Sequence, residues 1–507
     1  MDQEIEIKLA LEAEHASSVW QALKRFAHGK PVTHELFSAY YDTPDCLLQS
    51  NGVALRLRRD GQRWIQTIKS AGTASGGLHR RFEHETEVAI QLPSFPAIAQ
   101  AGFGELIANR HTRDALGVAF TTAFSRSSTL IALDGGNIVE VSLDRGSIAA
   151  GERREPICEI ELELKAGKAA ALFELAIELA PELPFRLDNR SKAQRGYALA
   201  AGTKAAPVKA STPGLTADMT VEDAFATIAF DCIAHLQANE PGLLAGRDAE
   251  YLHQARVALR RLRSAFRVFG AAIPEGQFAQ TLDEFKAVAR MLGDARNLDV
   301  FILETLAHAK PADHAGIAAL HRRTQAMRRI AARAARAAVA APGYTVMMLQ
   351  FAQNLVAVQT QPETAPAGRA GIKIEDFAAT VLSHQHARVK KCGRHLMRLA
   401  FADLHRLRIQ IKRLRYASEF FLPLAPDRAA EALQALADLQ ALLGRLIDDA
   451  TAWKLLDTLA AADPSADYQQ AVGYVRGWCA RDGEQCRGKL EEAWHGFLEC
   501  KPWWKSS

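Results

Sequence analysis

The chain has 507 residues, 48% of them hydrophobic, and a formal net charge of +4. That length suits two or three domains, and the composition is ordinary for globular protein with an ample core. Its seven cysteines (Cys46, Cys158, Cys232, Cys392, Cys479, Cys486 and Cys500) are scattered without a CxxC pair, which argues against a zinc site and fits a reducing compartment. No stretch reaches the roughly 18 apolar residues of a membrane span, and the acidic, alternating N-terminus is no signal peptide, so a soluble cytoplasmic protein is expected. The charge is uneven. Residues 1–202 hold 23 Lys+Arg against 26 Asp+Glu, whereas residues 219–507 hold 37 against 31. The second half leans basic, which favours a polyanionic partner.

In chain order, Glu4-Ile5-Glu6-Ile7-Lys8 comes first. Its alternation predicts a strand with one aliphatic face and one charged face. Further alternating segments cover residues 53–58, 64–69, 82–88, 138–143 and 157–164. Turn signals separate them at Asp60-Gly61, Gly76-Gly77, Asp134-Gly135-Gly136, Gly151 and Gly167. Residues 168–180 read as a helix. Residues 203–218, rich in Pro, Ala and Ser, read as a linker between a first domain at 1–202 and a second at 219–507. From Val221 onward Ala, Leu, Arg and Gln recur at helical spacing, so the second domain should be all helix. It contains an internal repeat. His253-Gln-Ala-Arg256-Val-Ala-Leu-Arg260-Arg261-Leu-Arg263 matches His405-Arg-Leu-Arg408-Ile-Gln-Ile-Lys412-Arg413-Leu-Arg415. Each copy is followed by a Leu-Gly step, Leu292-Gly293 or Leu443-Gly444, and then by Asp299 or Asp449.

The charged faces of the first half carry the chemistry. Glu159, Glu161 and Glu163 share one face of their strand, with neighbouring carboxylates about 6.6 Å apart. At an effective dielectric near 20 each neighbouring pair repels by roughly 2–3 kcal/mol. Open solvent, nearby cations or a bound divalent metal can offset that. Arg56 and Arg58 share a face, as do Thr67 and Lys69, and Arg81 and Glu83. Two readings fit: an antiparallel sheet with one wet, salt-laced face, or a closed barrel with a charged lumen, the inverse of the usual apolar interior. The second would suit phosphoryl transfer. Oxygen-rich carboxylate clusters bind Mg²⁺ or Mn²⁺, Arg and Lys clamp phosphate oxygens, and a spare carboxylate can orient or deprotonate water.

The ordered series Glu4-x-Glu6-x-Lys8, Arg56-x-Arg58, Thr67-x-Lys69, Arg81-x-Glu83, Asp144, Glu159-x-Glu161-x-Glu163 and Ser191-Lys192-x-x-Arg195-Gly196-Tyr197 resembles the CYTH family, the triphosphate tunnel metalloenzymes, across residues 1–202. The resemblance implies an α+β unit: an eight-stranded antiparallel barrel with flanking helices that takes a triphosphate end-on with divalent metal. It implies metal ligation by Glu4, Glu6, Asp144, Glu159, Glu161 and Glu163. Catalytic roles fall to Glu4, Glu6, Glu159, Glu161 and Lys192, the last on a plug segment near the reacting end. Phosphate binding falls to Lys8, Arg56, Arg58, Lys69, Arg81 and Arg126. The Arg126 assignment rests on a poorly patterned strand at 122–131, and Arg80 beside Arg81 leaves open which of the two points inward.

In the second half, His253, Arg256, Arg260, Arg263 and Arg267 fall within about an 80° arc of a helix. His405, Arg408, Lys412 and Arg415 do the same. Like charges at i,i+4 cost a few tenths of a kcal/mol per pair, which a polyanion would relieve. Further basic segments are Arg322, Arg329, Arg333 and Arg336, and Arg388, Lys390, Lys391, Arg394 and Arg398. Aromatic residues make up 7% of the chain and barely interleave with the two stripes, so base stacking is poorly supported and nucleic acid is not expected. The repeated histidine-led helices resemble the CHAD family over roughly residues 219–500. That resemblance implies an all-α domain of two duplicated helical bundles binding inorganic polyphosphate through His253, Arg256, Arg260, Arg263, His405, Arg408, Lys412 and Arg415, with Asp299 and Asp449 orienting the cations. His384-Gln385-His386 points its two rings apart on a helix, and Thr73-Ala-Ser-Gly-Gly77 reads as a hairpin loop, not a phosphate loop. The resulting expectation is a metal-dependent hydrolase converting tripolyphosphate to pyrophosphate and phosphate. Action on an organic triphosphate, as a thiamine triphosphatase or adenylate cyclase, and a non-catalytic polyphosphate adaptor are the alternatives.

Overall fold

The alternating segments of the first half do form strands, and they close on themselves. The computed structural model describes every residue except 1, 27–28, 71, 271, 275, 310–314, 361–371 and 505–507. The chain divides into two compact units, Met1–Ala206 with Ala341–Ala357, and Pro207–Ala340 with Val358–Ser507.

In the first unit the strands are β1 (Asp2–Ala10), β2 (Val32–Asp42), β3 (Val53–Asp60), β4 (Arg63–Ser70), β5 (Thr73–Ser75), β6 (Leu78–Val88), β7 (Gly117–Leu133), β8 (Asn137–Ala150), β9 (Arg153–Ala166) and β10 (Arg186–Leu187). They hydrogen-bond in the order β10-β1-β9-β8-β7-β2-β3-β4-β6-β5, and β1 also pairs with β6. Eight strands, β1-β9-β8-β7-β2-β3-β4-β6, therefore form a closed antiparallel barrel, with β5 and β10 appended.

The period of two along each strand sends one face out and one face in. The outward set, including Ile7, Leu9, Leu55, Leu57, Val141, Ile160 and Leu162, is buried. The helix Ala170–Leu179 covers β1, β8 and β9 with Leu172, Phe173, Leu175, Ala176 and Leu179. Leu48, Ile98 and Ile107 cover Ala39, Leu55, Leu57 and Ile68 on another side. Each such side chain contributes about 1.5–3 kcal/mol by burial, so the apolar contacts that hold the barrel lie outside it. The inside carries Glu6, Lys8, Thr67, Asp144 and Glu159, all buried.

The interior is not uniformly polar. Tyr40 stacks on Phe120 with ring centroids 4.4 Å apart, and Tyr197 meets Phe120 edge-on at 5.0 Å. Tyr197 belongs to the helix Lys192–Ala201, which starts at a capping box between Ser191 and Gln194. Gly196 lets that helix press on β7, since a Cβ there would lie 2.1 Å from the Phe120 ring.

The second unit is helical. Its long helices include Val221–Ala245, Ala249–Phe269, Ala279–Val300, Ala315–Ala340, Ile374–Cys392, Phe401–Phe421, Pro426–Ala460 and Ala466–Glu499. The helix Pro342–Thr360 lies almost wholly in the first unit, where Thr345 Oγ1 donates to the Phe185 carbonyl at 3.4 Å. The segment before Val221 has no regular structure, yet part of it is strapped down. Val208 exchanges hydrogen bonds with Asn239 at 3.0 and 2.9 Å, and Arg261 donates to the Ser211 carbonyl at 3.0 Å. Among the described residues no helix is long and apolar enough to cross a membrane.

Candidate active site

The register of the barrel decides which inward side chains meet. Across β8 and β9, Asp144 stands opposite Glu159 and Ser142 opposite Glu161. Ligand oxygens of Asp144, Glu159 and Glu161 all lie within 4.8 Å of one another. Lys192, in the first turn of its helix, puts Nζ 2.6 Å from Asp144, 2.5 Å from Glu159 and 3.0 Å from Glu161. Arg126, opposite Asp144 on β7, donates Nε and Nη2 to both Asp144 oxygens at 2.7 and 2.6 Å and also reaches Glu161. Lys8 bonds Glu161 and lies 2.8 Å from Glu6.

A second cluster lies beside it. Arg81 joins Glu4 at 2.5 Å and Glu6 at 2.6 Å, and Lys69 joins Glu4 at 2.9 Å and Glu83 at 3.0 Å. Arg56 and Arg58 project from β3 toward Thr67 and Glu85. Glu4, Lys8, Arg56, Arg58, Lys69, Arg81, Glu83, Glu85, Arg126, Glu161 and Lys192 line one cavity of about 1470 Å³, whereas Glu6, Asp144 and Glu159 lie buried in its wall.

The electrostatics follow from pairing inside a buried space. Burial alone would raise the Glu161 carboxyl, but Lys192, Lys8 and Arg126 override it and hold it well below the usual range. Lys69 and Arg81 do the same for Glu4. Burial works against charge on Lys8, Arg81, Arg126 and Lys192 too, yet their carboxylate partners hold each above its ordinary value. Glu83 and Glu163 go the other way, raised by burial. His79 is pushed down to about 4 by burial and by Lys8, so it is neutral at pH 7. The donor set at Asp144, Glu159 and Glu161 is all carboxylate oxygen and closely spaced. That fits a hard divalent cation such as Mg²⁺ or Mn²⁺ better than a soft one.

In the helical unit, the helices Ala249–Phe269 and Phe401–Phe421 pack together. Arg256, Arg260, Arg408 and Lys412 repel one another across this junction, and Arg296 adds to the field. Burial and these neighbours push Lys412 down to about 7, and burial with Arg296 pushes His253 down to about 4. Asp448 lies 3.6 Å from Arg408, Glu250 faces His253, and Glu304 lies 3.7 Å from Arg296. The Leu-Gly steps of the repeat now have a physical meaning. A Cβ at Gly293 would lie 2.6 Å from Arg256 Nη1, and one at Gly444 would lie 3.8 Å from Arg408 Nη2. In the first copy the glycine leaves room for its arginine; in the second the 3.8 Å separation would admit a Cβ in ordinary contact.

The CYTH domain model matches residues 2–197 and the CHAD domain model matches residues 227–457. The chain joins a CYTH domain to a CHAD domain. An inorganic triphosphatase of Haemophilus influenzae is 34% identical over 206 residues, which are 39% of this chain and 55% of that relative. The match thus spans about half of the relative's length. The crystal structure of the CHAD domain from the plant Ricinus communis superposes with a TM-score of 0.52 at 32% identity, covering 58% of this chain and 98% of its own.

Within the CYTH domain the structure brings together Glu4, Glu6, Lys8, Lys69 and Arg81, and separately Asp144, Glu159, Glu161, Arg126 and Lys192. Arg81, opposite Glu4, is the inward arginine, while Arg80 stands opposite Ile5. Glu163 stands outside the three-carboxylate group, paired with Lys165 at 2.6 Å, and Lys165 also holds Glu140 at 2.9 Å. In the CHAD domain Arg256, Arg260, Arg408 and Lys412 converge beside His253. Arg415 is turned to Glu419 at 2.8 Å, and His405 and Arg263 are exposed. Asp299 pairs with Arg328 at 2.7 Å, outside the stripe. Asp449 lies beside Asp482, so the orienting partner of Arg408 is its neighbour Asp448.

The sequence placed Arg195 and Glu83 in the ordered series without a site role, and gave none to Glu85 or His79. Arg195 holds Glu159 at 2.8 Å and Glu155 at 2.8 Å. Its position three after Lys192 places it on the same helix face, which was a usable signal. Glu83 and Glu85 continue the inward alternation from Arg81. His79 bonds the Asp188 carbonyl at 3.1 Å, tying β6 to the segment that leads into Lys192.

Proposed function

We propose that the CYTH domain hydrolyses tripolyphosphate to pyrophosphate and orthophosphate with Mg²⁺ or Mn²⁺, and that the CHAD domain binds inorganic polyphosphate. The observation that carries the first part is the cluster of Asp144, Glu159 and Glu161 within 4.8 Å, of which Glu161 lines one cavity with Lys8, Arg126, Lys192, Arg56, Arg58, Lys69 and Arg81, while Asp144 and Glu159 lie buried just behind it. A phosphate chain carries several charges and no apolar surface, so recognition must come from cations, and the lumen supplies them from several sides.

In this reading Arg56, Arg58, Lys69 and Arg81 hold the chain, and Lys8, Arg126 and Lys192 stabilise charge at its reacting end. Glu4 and Glu6 orient Arg81, Lys69 and Lys8 and extend the carboxylate wall toward the phosphates. Asp144, Glu159 and Glu161, with Glu4, Glu6 and Glu163 as further oxygen donors, would hold the divalent cation. When bound, it supplies Lewis-acid stabilisation of the phosphoryl oxygens. The oxygen of an attacking water bonds to the terminal phosphorus, the anhydride P–O bond breaks, and pyrophosphate leaves. A lumen carboxylate takes the water's proton.

The test is phosphate release from tripolyphosphate, ATP and thiamine triphosphate by the full chain, with and without Mg²⁺ or Mn²⁺. Faster, metal-dependent release from tripolyphosphate is expected. Absence of metal-dependent release from all three would sink the hydrolase reading. For the CHAD domain, polyphosphate affinity is expected to fall steeply with salt.

A further inference from the structure

Glu85 is a lumen carboxylate to which none of these roles falls, and it lies on the cations meant for phosphate. One of its oxygens, Oε1, accepts from Thr67 Oγ1 at 2.9 Å, Arg58 Nη2 at 3.2 Å and Arg56 Nη2 at 3.3 Å. Its neighbour Glu83 serves Lys69 at 3.0 Å and reaches Arg56 only at 3.6 Å. Two guanidinium groups and a hydroxyl converging on one anionic oxygen form the arrangement that a phosphate oxygen also seeks. Arg56 and Arg58 still have donor capacity there, since the Nε of each is buried without a hydrogen-bond partner among the described residues. Arg56 is the main cause of a lowered Arg58, so this pair gains from any anion laid across it.

Glu85 also differs from the deeper carboxylates in its freedom. Its side chain is 41% exposed, against 0–10% for Asp144, Glu159 and Glu161. Glu87, two residues further along β6 and on the same face, is exposed as well. It therefore has solvent to turn into. Asp144 and Glu159 do not.

We propose that Glu85 is a built-in competitor for the phosphate chain: it occupies the Arg56–Arg58–Thr67 cradle and must turn out toward solvent when a phosphate enters, which lowers affinity for substrate and product alike and lets product leave. The proposal rests on the phosphate-binding role given above to Arg56 and Arg58. It makes Glu85 an affinity-setting residue; the hydrolytic step needs nothing from it. A clamp of bare cations would bind both ends of the reaction tightly and gain nothing in turnover.

The experiment compares the full chain with its Glu85→Gln variant at fixed salt. Pyrophosphate binding is measured by calorimetry with and without Mg²⁺, and KM and kcat are measured with tripolyphosphate. Removing the competing charge should tighten pyrophosphate binding about tenfold, or about 1.4 kcal/mol at 25 °C, and lower KM in parallel. Unchanged or weaker pyrophosphate binding, with circular dichroism and melting as in the wild type, overturns the proposal, because Glu85 would then serve only to position the arginines. If Glu85→Gln does not fold, Glu85→Asp, too short to hold the cradle, replaces it; tightening supports the proposal and its absence overturns it. Tighter pyrophosphate binding in a protein that hydrolyses no triphosphate would keep this inference and sink the hydrolase reading. Hydrolysis by the wild type with no tightening in the variant would do the reverse.

Discussion

The two basic sites of this molecule use the same side chains and show opposite electrostatics. In the tunnel, carboxylates meet Lys8, Arg81, Arg126 and Lys192 at 3.0 Å or less, and these four are all held above their ordinary pKa values. In the helical unit, His253, Arg256, Arg408 and Lys412 are all pushed down, although Asp448 lies 3.6 Å from Arg408 and Glu250 faces His253. Burial opposes charge in both places, so the sign reports whether the fold supplies its own anions. The tunnel is neutralised from within and must exchange partners to bind a phosphate chain. The helical cluster is left short of negative charge, which in the proposed function an external polyanion supplies. Arg58, lowered chiefly by Arg56, departs from the other tunnel arginines named above, as does His79, and the arginine pair is the one across which Glu85 lies.

The comparison breaks most visibly at Glu161. Glu161→Gln removes the partner of Lys8, Lys192 and Arg126 at once, and kcat for tripolyphosphate should fall about 10²–10³-fold. The same change leaves three cations short of an anion at a buried site, so melting should show a loss of up to about 3–5 kcal/mol. A variant that kept full turnover would mean that the tunnel carboxylates serve only to neutralise the lysines and arginines.

On the helical side, Arg260→Ala with Lys412→Ala should weaken polyphosphate binding about tenfold to a hundredfold and flatten its dependence on salt, as read by titration at several ionic strengths. Indifference to the double change would remove the converging stripes as the binding surface.

Lys412 sharpens the contrast through pH. With the free-state pKa near 7, a bound polyanion must draw a proton onto this amine. Affinity for polyphosphate should therefore fall about tenfold between pH 6 and pH 8, and Lys412→Met should lose that dependence. The stability effect has the opposite sign. The folded pKa lies below the unfolded one, so between about pH 7 and 10.5 the unfolded chain binds more protons, and stability rises with pH. Melting curves of the wild type should show this increment, and those of Lys412→Met should lack it.

The smallest effect concerns Asp449, pushed up to about 7 by burial and then by Asp482 and Asp448. A carboxyl raised in the folded state costs stability as pH rises through that value. That loss accrues between about pH 3.8 and 7, so Asp449→Asn should raise the melting temperature by a few degrees at pH 8 and change little at pH 3.

The fold was legible wherever a period was clean. Alternation in Glu4-Ile5-Glu6-Ile7-Lys8 and in the Glu159 strand marked both the strands and their charged faces, and the His253 and His405 segments marked paired helices. Arg126 was harder to see. Its strand, Gly117–Leu133, mixes Ser and Thr on both faces, so only its pairing with Asp144 across β8 shows that it faces inward. The aromatic layer of Tyr40, Phe120 and Tyr197 had no local signal, because its members come from three distant segments.

By itself the sequence determined which side chains share a face, since a strand repeats every two residues and a helix about every 3.6. Tertiary structure decided which faces meet and at what height. Strand register set Asp144 opposite Glu159, chose Arg81 over Arg80 beside Glu4, and delivered Glu85 to Arg56 and Arg58. Helix packing chose Asp448 over Asp449 as the partner of Arg408, although the two are adjacent in the chain. A step of one residue turns a helix by about 100° and flips a strand to its other face. Selection at that scale comes from long-range contacts, which no local period encodes.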